Sequence, residues 1–248
     1  MSPNASGRPL AGIHVPTITI FKDSPAQEVD IEANKKHILY LAKAGVQGVL
    51  IQGSTGEQVS LTREERIQVR ALTRCHHISL SLTLNYSFQL TRATREVVEQ
   101  HGFHDFTIMA GAGAQSTQEA ITLAKDAASA GADYACILPP SYFAPSMTPE
   151  ALESFYIEVS HLACGLKLTC PMFLLVSQVA DHIPIPVIIY SWPGVSSGLE
   201  ITSDGITRLA KHPNIVGIKQ VSNHSHFNRS SLHTYESKLT LFSNISDR

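Results

Sequence analysis

The chain has little of what marks several large protein classes. It carries only four cysteines in 248 residues (Cys75, Cys136, Cys164, Cys170), none of them in CxxC spacing. That pattern indicates neither a disulfide framework nor a zinc site. Charge is sparse, with 16% charged residues and a formal net charge of -2, so there is no basic footprint for nucleic acid. No apolar run approaches the roughly 20 residues needed to span a bilayer. The longest candidate, residues 171–192, is broken by Asp181, His182 and several prolines. The opening stretch "MSPNASGRPLAG" has no apolar signal core and is poor in arginine. A cytoplasmic protein with reduced thiols is therefore expected, with the mitochondrion as the alternative. Twelve histidines are present but scattered. "HH" at 76–77 and "HSH" at 224–226 lack carboxylate-rich partners and read as surface loops ahead of metal sites.

What is present is an alternation of apolar runs and amphipathic stretches. "GIHVPTITIF" (12–21), "GVLIQGS" (48–54), "FTIMAGAG" (106–113), "YACILPP" (134–140), "PVIIYS" (186–191), "IVGIKQV" (215–221) and "KLTLFSN" (238–244) read as strands. Between most of them lie helical patterns. In 29–45, Ile31, Ile38, Leu41 and Ala42 share a face and Gly45 ends the helix. In "LTREER", Thr62 and Glu65 have capping-box spacing. Residues 116–131 and 148–159 are further helices. Repeated βα units with strands apolar on both faces predict a parallel sheet, either barrel or doubly wound.

Two intervals between strands are each about 20 residues longer than a barrel unit of roughly 31 residues requires. The excess falls near 72–92 and 160–178, apolar segments poor in acidic residues and unlike their flanks. They are expected to be insertions foreign to the fold, as retained non-coding sequence would be; ordinary loop excursions are the alternative.

Polar residues gather at the ends of the strands. Lys219 closes a buried run and shares a face with Gly217 and Ile215, while Val216 and Ile218 share the other. A lysine in such a run either lies along an edge, or is a desolvated amine with its pKa lowered for attack on a carbonyl. Tyr190 ends "PVIIY", Tyr142 follows "CILPPS", and Ser54 and Thr55 end "GVLIQG". In parallel α/β folds the C-terminal strand edges converge on the active-site mouth, and this company favours the nucleophile. In "GSTGE" (53–57) the glycines are expected to permit positive φ, and the backbone N–H groups to receive a carboxylate. "GAGAQS" (111–116) mimics GxGxxG but lacks the last glycine, a weak dinucleotide signal.

At these residues the sequence resembles the dihydrodipicolinate synthase and N-acetylneuraminate lyase family of class I aldolases. "GSTGE" followed by "LTREER", "PPSYF" with its following proline, "YSWPG" and "NIVGIK" match its segments in order. The pattern is nearest to 4-hydroxy-2-oxoglutarate aldolase-like members. No arginine follows "YSWPG", where dihydrodipicolinate synthases usually hold their second substrate. The resemblance implies a (β/α)8 TIM barrel acting on pyruvate-type 2-oxo acids, usually as a homotetramer. It implies no metal or organic cofactor, only a covalent Schiff base on lysine. It assigns Lys219 as Schiff-base lysine, Tyr190 as general acid/base, Ser54 and Tyr142 as the proton relay, and Thr55 with Gly53 and Gly56 as carboxylate binders. In some relatives the relay tyrosine comes from a neighbouring subunit. The expected partner is a small 2-oxo acid, with no nucleic acid and no membrane. Arg248 follows closely on the seventh strand. The expected fold is therefore a single TIM-barrel domain over 1–248, truncated after strand 7 with the eighth βα unit and C-terminal helices missing, and carrying two insertions. A non-catalytic barrel relic that binds 2-oxo acids and, more remotely, a metal-dependent aldolase are the competing functions.

Overall fold

The computed structural model describes residues 9, 11–25, 27–61, 89–164, 185–221 and 240–243. They belong to two compact units, one of Leu10–Gly111 with Asp126–Asp133, the other of Ser2–Pro9 and Ala112–Lys125 with Tyr134–Arg248.

The first unit holds β1 (His14–Pro16), α1 (Ile31–Lys43), β2 (Gly48–Ile51), α2 (Gln89–Gln100) and β3 (Thr107–Gly111). β2 pairs in parallel with β1 and β3, Gly48 lying opposite His14 and Thr107. The expected strand 12–21 is shortened to three residues, because a side chain claims the backbone further on. Thr17 N–H still donates to the Leu50 carbonyl of β2 (3.0 Å), as the pairing of Pro16 with Leu50 requires. The Asn34 amide brackets Ile20, accepting from its N–H (3.1 Å) and donating to its carbonyl (2.9 Å). Asn34 therefore sits on the buried stripe of α1 beside Ile38 and Ala42, a polar residue satisfied in the interior. Asp30 caps α1 by accepting from Ala33 N–H, and Gly45 ends it at a φ of +87°. α2 packs on α1. From α2, Arg95 donates to the Gly131 carbonyl (3.0 Å) and pairs with Asp133 (2.6 Å), whose carboxylate also accepts from Ile108 N–H (2.8 Å). One ion pair thus ties helix, strand and the 131–133 turn.

The second unit holds β4 (Tyr134–Ile137), α4 (Pro149–Cys164), β5 (Val187–Ser191), α5 (Ser203–Leu209), β6 (Ile215–Gln220) and β7 (Thr240–Ser243). α3 (Thr117–Ser129) is divided between the units at Lys125. β4, β5, β6 and β7 form parallel neighbours, with Ala135 opposite Val187, Tyr190 opposite Lys219, and Lys219 opposite Phe242. The register shifts between Val187 and Ile188. β4 and β5 are buried at every residue, as parallel strands covered on both faces are. The apolar face of α4 buries Leu152, Phe155, Tyr156 and Val159, and the Tyr156 hydroxyl donates to the Ile137 carbonyl (3.1 Å). α5 starts at Thr202, whose hydroxyl accepts from Gly205 N–H, and is joined to α4 by the Arg208–Glu153 pair.

The βα alternation and parallel pairing expected from the sequence are present within each unit. The segments near 72–92 and 160–178 lie mostly outside the described residues; of their margins, 89–92 begin α2 and 160–164 end α4. The "HH" and "HSH" histidines and the "LTREER" helix start also lie outside them. No described helix is long and apolar enough to cross a membrane. Among the described residues no group of three His, Cys, Asp or Glu could hold a metal ion.

Candidate active site

The site is built on the C-terminal ends of β4, β5 and β6. Lys219 and Tyr190 are register partners, so their side chains project side by side from one face. The Lys219 ammonium lies 3.7 Å from the centroid of the Tyr190 ring, over its π face. Tyr190 is 2% exposed, so the amine rests on a fixed, buried platform. Loss of hydration pushes the Lys219 pKa below the usual lysine value. Lys219 is half-buried on a strand paired on both sides, and so does not lie along a sheet edge.

Cys136 supplies the surroundings that the sequence reading missed. It lies opposite Ile188, two residues before Tyr190, which puts its thiol on the same sheet face. Burial pushes this thiol up to about 12, although the Lys219 charge draws it down. At neutral pH it is uncharged. The lysine therefore has a polarizable neutral neighbour in place of an anion that would hold its proton. The only sequence signal was parity along β4, and a lone cysteine in an apolar strand reads equally well as packing.

Trp192 was also missed. Its indole stacks on Tyr190 with centroids 6.3 Å apart and planes 26° apart. A Cβ on Gly194 would stand 2.8 Å from the indole nitrogen, so glycine is what lets "YSWPG" fold back beside the ring. Lys219 and Trp192 thus both lie against the Tyr190 ring.

Tyr142 differs. It is 79% exposed, edge-on to Phe143 at 4.8 Å, and Phe143 is itself 70% exposed. Ser54, Thr55, Gly53 and Gly56 belong to the other unit. There Ser54 is half-buried and Thr55 exposed, in a turn closed by Glu57 N–H donating to the Ser54 carbonyl (3.1 Å). One expectation for this turn is corrected. The positive φ values fall on Gln52 (52°) and Glu57 (55°), and neither Gly53 nor Gly56 has one. The glycines serve close approach instead. A Cβ on Gly56 would stand 2.9 Å from the Gln52 nitrogen, and one on Gly53 would stand 3.2 Å from the Leu50 side chain. Gly111 is tighter still, since its Cβ would fall 1.8 Å from the Gln52 carbonyl oxygen. The first half of "GAGAQS" is therefore a packing device.

A half-buried lysine laid on a buried tyrosine stands at the C-terminal edge of parallel strands flanked by helices, the place where parallel α/β proteins carry their sites. The chain belongs to the dihydrodipicolinate synthetase family, whose model matches residues 9–76, 79–166 and 175–247. The match is interrupted only at 77–78 and 167–174, and it covers the rest of the segments near 72–92 and 160–178. The chain is 39% identical over 215 residues to a protein of Emericella nidulans named "Probable 4-hydroxy-2-oxoglutarate aldolase, mitochondrial", covering 86% of this chain and 56% of that one. It is 35% identical over 208 residues to the L-threo-3-deoxy-hexylosonate aldolase of Hypocrea jecorina, covering 84% and 53%. A crystal structure of a dihydrodipicolinate synthase family protein from Coccidioides immitis superposes with a TM-score of 0.70 at 30% identity, covering 100% of this chain and 63% of that one. The chain spans about half the length of the curated relatives it matches.

Proposed function

We propose that the chain is a Schiff-base carbon–carbon lyase that cleaves a 4-hydroxy-2-oxo acid to pyruvate and an aldehyde. The substrate is a 4-hydroxy-2-oxoglutarate or a 2-keto-3-deoxy acid; dihydrodipicolinate synthase-like condensation is the variant of the same chemistry. The observation that carries this reading is the Lys219 amine, desolvated and seated 3.7 Å above the Tyr190 ring. The names of the two aldolase relatives support it, as does a 25% identical neighbour, the dihydrodipicolinate synthase of Acinetobacter baumannii, solved with pyruvate.

In this mechanism the neutral Nζ adds to C2 of the substrate, and loss of water leaves an iminium. The C3–C4 bond then breaks as its electron pair moves toward the iminium nitrogen, giving an enamine, while Tyr190 takes the proton from the C4 hydroxyl. The aldehyde departs, C3 is protonated, and hydrolysis releases pyruvate and the amine. Ser54 and Tyr142 carry the proton to and from Tyr190. Thr55, in the turn bounded by Gly53 and Gly56, takes the substrate carboxylate. No metal or organic cofactor takes part in these steps. The exposed Tyr142 fits a homo-oligomer in which it serves the site of a neighbouring copy. The free Cys136 fits a reducing compartment, cytoplasm or mitochondrial matrix. Insertions near 72–92 and 160–178 belong to this reading only in part, since the family match is interrupted at 77–78 and 167–174 and covers the rest of both segments.

The test is reductive trapping. Incubating the protein with pyruvate and borohydride should add a lactyl-sized mass to the peptide bearing Lys219. A folded sample that gains no adduct ends the proposal. A melting temperature raised by pyruvate, with neither adduct nor turnover, would instead identify the non-catalytic binding barrel.

A further inference from the structure

The loop after β3 is the part of "GAGAQS" that the proposed chemistry leaves unused, and it follows the exit of β4 step by step. Ala112 N–H donates to the Cys136 carbonyl (2.9 Å). Gly113 presses on Leu138, where a Cβ would stand 3.0 Å from both the Leu138 Cβ and its nitrogen. Pro139 and Pro140 follow, and with no N–H they offer this loop nothing to continue the ladder. The next two amides belong to Ser141 and Tyr142, and both converge on one atom. The Gln115 side-chain Oε1 accepts from Ser141 N–H at 2.8 Å and from Tyr142 N–H at 2.9 Å. Its Nε2 faces the Ser141 hydroxyl at 3.5 Å. Gln115 is itself anchored, since the adjacent Ser116 hydroxyl caps α3 by accepting from Glu119 N–H (3.2 Å).

We propose that Gln115 is a positioning residue for Tyr142. Its carbonyl oxygen clasps the two amides at the start of the turn and so sets the direction in which the exposed phenol projects. This rests on the reading of Tyr142 as a proton relay. Gln115, Ser141 and Tyr142 lie at the surface, so water can replace the lost bonds at little cost in stability. A displacement of about 1 Å in the phenol, by contrast, costs rate directly. Packing and positioning are thereby separable. The length of the side chain matters as well: asparagine would leave the oxygen one methylene short, whereas glutamate keeps an acceptor oxygen at the same reach.

The test uses the whole chain. Gln115→Ala should lower kcat by about ten- to a hundredfold. Its KM, its melting temperature and its pyruvate–borohydride adduct on Lys219 should stay close to wild type. Gln115→Glu should recover most of the lost rate, and Gln115→Asn should not. In a Tyr142→Phe background, Gln115→Ala should cost less than about twofold more, because both changes remove one function. Losses that multiply in the double variant, or an unchanged kcat in Gln115→Ala, overturn the proposal. Absence of the Lys219 adduct in the wild type overturns the underlying aldolase reading instead, so the two failures are distinguishable.

Discussion

Two tyrosines assigned to one proton path sit in opposite surroundings. Tyr190 is 2% exposed, walled by Trp192 and covered by the Lys219 amine. Tyr142 is 79% exposed and touches only Phe143 among the described aromatic rings. The difference follows from backbone context. Tyr190 is the fourth residue of β5, fixed by strand pairing on β6, and its rotamer is set by packing. Tyr142 stands beyond two prolines, in a turn whose amides are held by a side chain. The half proposed to form the imine is held by strand pairing, whereas the half proposed to move protons depends on a loop clasp.

That contrast can be broken at several points. Tyr190→Phe removes the hydroxyl but keeps the ring beneath the amine and beside the indole. Turnover should fall by about 10²–10⁴-fold while the borohydride adduct on Lys219 persists, as mass spectrometry would read. Loss of the adduct in this variant would mean that the hydroxyl, and not the ring, shelters the lysine. Tyr142→Phe should cost less, about ten- to a hundredfold in kcat, with an unchanged melting temperature. If the phenol serves a neighbouring copy, mixing this variant with Lys219→Ala should restore part of the activity in hybrid assemblies. A mixture no more active than its impaired Tyr142→Phe parent would place Tyr142 in its own subunit's site.

The smallest effect concerns pH. Burial lowers the Lys219 pKa, so the neutral fraction at a given pH exceeds that of an exposed lysine. The rate of reductive trapping with pyruvate should rise with pH and level off below the usual lysine value of about 10.4. The sign for stability follows from the same shift. Between the lowered folded value and the ordinary unfolded one, the unfolded chain binds more protons, so stability rises with pH across that window. Denaturant melts of wild type and Lys219→Met should therefore converge toward its alkaline end. A difference that grows with pH would contradict the burial of the amine.

Much of this arrangement was legible in the sequence, for identifiable reasons. Strand parity alone put Lys219 at the end of a buried run, and the ordered segments "GSTGE", "PPSYF", "YSWPG" and "NIVGIK" gave the family. The misreadings are equally physical. Positive φ was expected at the glycines of "GSTGE", yet it falls on Gln52 and Glu57, because the glycines are needed where backbones nearly touch. The strand at 12–21 was drawn too long, since periodicity cannot see that Asn34 takes the backbone of Ile20. Cys136 carried no motif, and Trp192 and Gln115 lay inside "YSWPG" and "GAGAQS" without a signal that singled them out.

By itself the sequence determined which residues alternate across each strand, where strands give way to helices, and that an amine and hydroxyls end several of them. These are properties of one segment at a time, set by side-chain periodicity and local backbone limits. Only the tertiary structure decided that Tyr190 stands opposite Lys219, that Cys136 shares their face, and that Gln115 reaches the Tyr142 amide. Pairing register and loop packing bring together residues 27 to 83 positions apart, and no local rule of the chain encodes which of them meet.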